Sequence, residues 1–393
     1  MNRNLFVLLI LLAASLSALL FHVADTPLSF HGPPIKIGVV VPLSGEFEPQ
    51  GRMALQGALM AAEEINQGGV LGGKQIRLEI RDSQSDADTA EVACQSLMTE
   101  KKVVAILAAT GSPSRKRMAT LAESEGFPLL YAADYEGGEC APHVFYYSEI
   151  PDHTIRPMIS YLQETQGPDV FIFGLDVPLS HKIADIATRE IDARGGRVVG
   201  QEFTPYGTPD YSPVLQRIKA SKSRTLLLTP SAKDGTRFIH QFNASSLKGK
   251  VTIAAIAFNE SHLTQFSPGD LEGIHTCLHF MASLDSPETK AFVARHRHLF
   301  PNALYPPTHI TEGSFGLLKI FSSALDRAGS LDMIKTMALM PGTRIQGGHG
   351  VITLRDDRHV NMNMVIGKFT QGELQAVKKM GEVKPTSQCP RPH

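Results

Sequence analysis

The chain has no tryptophan, so any aromatic surface for a ligand must come from its 8 tyrosines and 19 phenylalanines. It also has almost no net charge: 38 basic residues against 39 acidic give −1 at pH 7. That balance excludes a nucleic-acid partner held by a basic face, and a polybasic membrane patch with it. Cysteine is scarce. Cys94, Cys140, Cys277 and Cys389 stand far apart with no C-x-x-C, which argues against a structural zinc site. They suit an oxidising compartment, and spacing leaves their pairing open.

Catalytic and cofactor signatures are missing as well. No G-x-G-x-x-G follows the first strand-like run, since Gly38 and Gly45 are too far apart. Gly68 and Gly73-Lys74 have phosphate-loop spacing, but Gln75 replaces the Ser or Thr that would hold magnesium. They also follow a helical segment instead of preceding one, so they read as a turn. No H-E-x-x-H and no G-x-S-x-G occur; Gly111-Ser112-Pro113-Ser114 is the nearest stretch and lacks the closing glycine. His296 and His298 are two apart, which on a helix points them in different directions. No cofactor, no metal and no catalytic set are therefore expected.

What is present begins with one long apolar run. Leu5 to Phe21 follows the short basic start Asn2-Arg3-Asn4. Residues 1–24 read as a secretory signal or a signal-anchor. No cysteine follows that would carry a lipid, and Ser15-Leu16-Ser17 is the best small-x-small cleavage site. The run sits at the short edge of spanning length. Either reading sends the body out of the cytoplasm, periplasmic if cleaved and anchored in the inner membrane if not. Residues 25–34, with three prolines, read as a linker.

The body alternates strand and helix. Lys36 to Val41 is a β-branched run, as expected of a buried parallel strand. From Arg52 to Gln67 the period turns helical, with Leu55, Leu59, Ala62 and Ile65 on one face. Gly68-Gly69 and Gly72-Gly73 end that helix. The same alternation continues to Pro128–Tyr131, restarts at Thr154 and runs to Ala257. Two doubly wound parallel-sheet units in one chain predict an α/β protein of two lobes. Tyr146 to Pro151 reads as a short extended crossing between them.

In such sheets ligands bind at the carboxyl ends of the strands. After the third strand come Thr110, Gly111 and Ser112, opening a helix whose free N–H groups and hydroxyls can hold a polar ligand. Pro113 supplies no N–H there. After the fourth come Tyr131, Ala133 and Asp134, in a turn dense in tyrosine and carboxylate. Asp176 and Glu260 follow strands of the second unit. Each of these has a plainer reading as a helix cap or a solvated acid; their coincidence at strand ends of both units supports a site.

The motifs resemble a known family. Ile35-Lys36-Ile37-Gly38-Val39-Val40-Val41-Pro42-Leu43-Ser44-Gly45, then Ala61-Ala62-Glu63-Glu64-Ile65-Asn66, then Gly68 to Gly73 resemble the type I periplasmic binding proteins of the Leu/Ile/Val-binding class. A narrower likeness is to the urea and short-chain amide branch of the ABC transporter binding proteins. Ser112-x-Ser114-Arg115-Lys116 and Tyr135-Glu136-Gly137-x-Glu139-Cys140 look like two of its segments, and Thr308 and Glu312 fit its helix carrying a Thr and a Glu.

The resemblance implies a fold joined by three hinge strands, with the ligand between the lobes. Residues 35–150 with 284–342 would form lobe 1, 151–283 with 343–380 lobe 2, and 381–393 a tail. Ser112 and Tyr131 would touch ligand from lobe 1. Ala133 and Asp134 depart from that branch, which places small polar or proline residues there. Asp176 is followed by Val177-Pro178-Leu179 where the branch has a tyrosine. The expected role is a solute-binding component that closes on a small polar solute, urea or a short amide, and docks on a separate ABC permease. Two alternatives stand beside it. One is a branched-chain amino acid, its ammonium on Asp134 and its side chain on Val177 and Leu179. The other is a membrane-tethered sensor. A hydrolase built on Ser112 lacks a base at motif spacing.

Overall fold

The computed structural model describes residues 32–229, 232–267 and 269–389. The signal-or-anchor segment and most of the linker lie outside them. Among the described residues, no helix is long and apolar enough to cross a membrane.

Five parallel strands make a first sheet, in the order β2-β1-β3-β4-β5. They are β1 (Ile35–Val41), β2 (Ile76–Asp82), β3 (Ile106–Ala108), β4 (Leu129–Tyr131) and β5 (Val144–Tyr146). β1 is central, and helices on both sides bury it almost entirely, so alternation vanishes from its sequence. β2 is an edge, and its Arg77, Glu79 and Arg81 keep the alternation. Helices α1 (Glu48–Gly68), α2 (Ala87–Ser96) and α3 (Ser112–Ser124) connect these strands. A π turn at Leu97–Lys101 extends α2.

A second sheet of seven strands has the order β14-β13-β10-β9-β8-β6-β7. Strands β6 (Asp169–Leu175), β7 (Arg197–Thr204), β8 (Thr225–Thr229), β9 (Thr252–Ala255) and β10 (His275–Leu278) pair in parallel. Around them run α4 (Pro151–Gln166), α5 (Pro178–Ala193), α6 (Ser212–Ser221) and α7 (Ala232–Ala244). The short pair β11 (Arg344–Gly347) and β12 (Gly350–Thr353) forms a separate hairpin. The last strands, β13 (Met362–Thr370) and β14 (Glu373–Val383), add an antiparallel hairpin to the sheet edge. Met362 and Met364, alternate residues of β13, are fully buried.

Helices α8 (Pro287–Leu299), α9 (His309–Ala328) and α10 (Met333–Leu339) return to the first sheet. α9 is buried along nearly its whole length against α1. The approach is close at Gly57, where a Cβ would stand 2.0 Å from the Thr311 carbonyl oxygen. Arg295 and Lys319 add ion pairs to Glu63 and Glu64 of α1.

The chain therefore passes between the sheets three times, at residues 147–150, 279–286 and 354–361. One continuous apolar core fills the first unit and reaches one face of the second sheet. A separate core built on Phe171, Phe173, Phe238 and Phe242 covers the other face. A disulfide joins Cys140 to Cys389, across 249 residues, while Cys94 and Cys277 are buried and free.

Candidate functional site

The crossings are where buried charge collects. Glu149 lies on the first crossing and His279 on the second. Nδ1 of His279 is 2.7 Å from Oε1 of Glu149, and the His279 amide donates to the same oxygen at 2.7 Å. Nε2 of His279 faces Oε2 of Glu312, on the first turn of α9, at 3.3 Å. The Tyr147 hydroxyl donates to that Glu312 oxygen at 2.6 Å, and the Gly348 amide donates to Oε1 at 2.9 Å. His349, at the tip of the β11–β12 hairpin, puts Nδ1 3.4 Å from Oε1. On the other side, Asp134 accepts the Glu149 amide at 3.2 Å and lies 2.9 Å from Nε2 of His309.

Electrostatics follow from this packing. Burial alone would lower the His279 pKa, but hydrogen bonds to Glu149 and Glu312 outweigh it and push it up to about 9. Burial would raise Glu312, yet His349 and His279 hold it well below the usual carboxylate range. The same contest lowers Asp134 and raises His309, each through the other. Glu260 is different. It accepts the Ala282 amide at 2.7 Å, and His309 is near enough to be felt, but burial wins and lifts its pKa to about 7.

Several atoms here are buried with no hydrogen-bond partner: Oγ1 of Thr110, Oγ of Ser148, Oε2 of Glu149, Oε2 of Glu260 and Nδ1 of His309. Buried polar atoms are nearly always paired, so such a group of them marks a place for a bound molecule.

The residues expected from sequence fall into three sets. Asp134 and Glu260 flank His309, one from each unit. Thr110 is buried at the end of β3, and Gly111 caps α3 with extended backbone. A Cβ on Gly111 would stand 3.2 Å from the half-buried Phe47 ring, so Phe47 covers this helix start. Ala133 is fully buried in the core. Tyr131 is also fully buried, and its hydroxyl donates to the Thr110 carbonyl at 2.6 Å. Ser112 donates to Glu136 at 2.6 Å. Asp176 is exposed and pairs with His181 of the following helix, α5, at 2.8 Å, apart from the buried cluster. Leu179 is exposed and Val177 half-buried.

The two short motifs beside the α3 start bind each other. Arg115, fully buried, pairs with Glu136 at 3.0 Å and Glu139 at 2.9 Å, and its guanidinium lies 4.5 Å over the Tyr135 ring. Ser112 joins through Glu136. His296 hydrogen-bonds Gln56 at 3.0 Å, while His298 is exposed.

Sequence reasoning passed over His279, His309, His349, Glu149 and Phe47. His279 obeys the same strand-end rule that picked Glu260, but its four-residue strand, HTCL, escaped notice. Phe47 likewise follows the carboxyl end of β1. The rest carry no local signal.

Comparison with known proteins gives this geometry a family. The family described as periplasmic binding protein matches residues 34–373. The Leu/Ile/Val-binding protein homolog 6 of Brucella melitensis is 23% identical over 389 residues, covering 88% of this chain and 93% of that protein. A solute binding protein of an ABC transporter from Rhodopseudomonas palustris BisB5, solved with 3,4-dihydroxybenzoic acid, matches with TM-score 0.80 at 22% identity. The match covers 91% of this chain and 99% of that one. A branched-chain amino acid transporter substrate binding protein from Streptococcus pneumoniae, solved with isoleucine, matches with TM-score 0.79 at 19% identity, covering 88% and 100%. At these identities the solved structures establish a shared fold.

Proposed function

Because the chain belongs to the periplasmic binding protein family, we propose that it is the extracytoplasmic solute-binding component of an ABC uptake system, with a small zwitterionic solute of the amino-acid type as its ligand. The observation that carries this reading is the Asp134–His309–Glu260 arrangement. It offers two carboxylates, one from each unit, and Oε2 of Glu260 is buried without a partner. An ammonium group supplies the positive charge and the donor that this Glu260 oxygen lacks, beside the Asp134–His309 pair. The solute's carboxylate fits the opposite need. It is met by N–H groups at the start of α3 and by the Thr110 hydroxyl, with Phe47 as an apolar wall.

The relatives named above bear the same class of ligand in their names, leucine, isoleucine and valine, alongside an aromatic acid. The urea or short-amide reading rested on the Ser112–Lys116 and Tyr135–Cys140 motifs, together with Thr308 and Glu312. The residues of those two motifs hold each other through Arg115, Ser112 and Glu136, which gives them a structural role apart from any solute. The three crossings act as the hinge, and the closed state gains the contacts of the second unit. A separate permease reads closed from open.

Thermal-shift titration of the full chain tests this, with aliphatic and aromatic amino acids, benzoates, urea and acetamide as probes. The expected result is a rise in Tm with an amino acid that Asp134→Asn and Glu260→Gln each abolish. Ionised Glu260 favours an ammonium, so affinity should rise with pH through about 7. A shift with urea or acetamide and none with any amino acid would overturn the reading.

A further inference from the structure

We infer that His279, Glu312 and His349 form a binding site for one divalent transition-metal ion of the zinc type, placed at the hinge. This inference does not depend on the identity of the solute. The three residues come from the second crossing, the first turn of α9 and the tip of the β11–β12 hairpin. One donor atom from each lies within 4.8 Å of the others.

The spacing is the first argument. Charge-assisted N–H···O bonds settle at about 2.7–2.9 Å. The two imidazole nitrogens stand off from Glu312 instead, Nε2 of His279 at 3.3 Å from Oε2 and Nδ1 of His349 at 3.4 Å from Oε1, one on each side of the carboxylate. Two donors on one tetrahedral ion with bonds of about 2.0–2.1 Å lie roughly 3.3 Å apart. The other contacts of Glu312, to Tyr147 and Gly348, have ordinary lengths, so the longer pair is not a general looseness.

The second argument is the state of His349. Its side chain is 3% exposed, and its Nδ1 points at Glu312 with no hydrogen-bond partner. The hairpin is held against the carboxylate by glycine: a Cβ at Gly347 would stand 2.4 Å from Oε1 of Glu312. The third argument is what stands behind His279. Glu149 holds its Nδ1 at 2.7 Å, which fixes the ring and turns Nε2 towards the site. A carboxylate behind a ligating histidine is the usual outer support of a zinc site.

The donor set selects the metal. Two imidazoles and one carboxylate suit zinc and its neighbours, whereas calcium and magnesium prefer oxygen throughout. The neighbouring group of Asp134, Glu149 and His309 is not assigned a metal, because Asp134 and His309 already close on each other at an ion-pair distance of 2.9 Å. An ion at the proposed site would tie the second crossing to α9 and the hairpin, and so stiffen the hinge.

Calorimetric titration of the chelator-stripped full chain with zinc chloride, and separately with calcium chloride, tests this. One zinc per chain is expected, and no calcium. His349→Ala, a change at a hairpin tip, should abolish that zinc while the metal-free melt keeps its cooperativity. Glu149→Gln leaves all three ligands and should weaken zinc roughly 10–100-fold. His298→Ala, at an exposed histidine, should change nothing. Unaltered zinc affinity and stoichiometry in His349→Ala would overturn the site, and would leave the solute assay, run in chelator, unaffected.

Discussion

Two buried ionic networks lie close together in this protein, and they are built from different chemistry. Around Arg115 the charge is permanent, since a guanidinium does not lose its proton. Its partners Glu136 and Glu139 keep 18% and 27% of their side chains exposed, so water pays part of their solvation. At the hinge the positive partners are histidines, whose charge is conditional. Their carboxylates Glu149 and Glu312 are sealed, at 2% and 0% exposure. The contrast separates a fixed latch from an adjustable joint. The latch pins the turn from Tyr131 to Cys140, which the disulfide to Cys389 ties down again. The joint sits on the crossings between the two units, where the proposed closure bends the chain.

The largest test of this contrast is Arg115→Ala. It leaves Glu139 without its cation and Glu136 with only the exposed Lys116 at 3.6 Å, and opens space against the Tyr135 ring, and should cost about 3–5 kcal/mol. Denaturant unfolding measures it; a loss below about 1 kcal/mol would mean the network is not a latch.

The next concerns titration away from the joint's ion pairs. His153 is buried, takes the Ile150 amide on Nδ1 and lies 3.1 Å from the Val360 carbonyl through Nε2. Burial pushes its pKa from 6.5 down to about 3. Its folded pKa is depressed, so its contribution is full above pH 6.5 and drains away as pH falls towards 3. His153→Gln should therefore flatten the fall in stability between pH 7 and 4. Parallel stability–pH curves for the two proteins would contradict the assignment.

The smallest effect is expected at Tyr131→Phe. Its hydroxyl is committed to the Thr110 carbonyl, so removing it should cost about 1 kcal/mol and leave solute affinity unchanged. Lost affinity with stability intact would show that this hydroxyl reaches the solute.

Much of the fold was readable before any coordinates. β1 announces itself as an unbroken apolar run rich in β-branched residues, and α1 by keeping one period over many residues. β5, β10 and β11 did not, because three or four residues hold no period to detect. Of the site, Asp134 and Glu260 were found through a rule about strand ends. Tyr131 and Asp176 satisfy the same rule, yet one is spent on a backbone carbonyl and the other faces solvent. The rule gives position along a strand and says nothing of which way the side chain turns.

The sequence by itself determined the two doubly wound units, the short crossing near Tyr146–Pro151 and the lack of any dinucleotide or phosphate-loop motif. Those follow from local pattern and from neighbours in the chain. Only the tertiary structure decided that Glu149, His279, His309, Glu312 and His349 meet. Glu149 and His349 lie 200 residues apart (349 − 149), and apart from His309 and Glu312 on one helix turn the five share no local spacing. They converge because two crossings, the start of one buried helix and a hairpin tip end at the same place, and a meeting of that kind is a property of topology, which periodicity cannot encode.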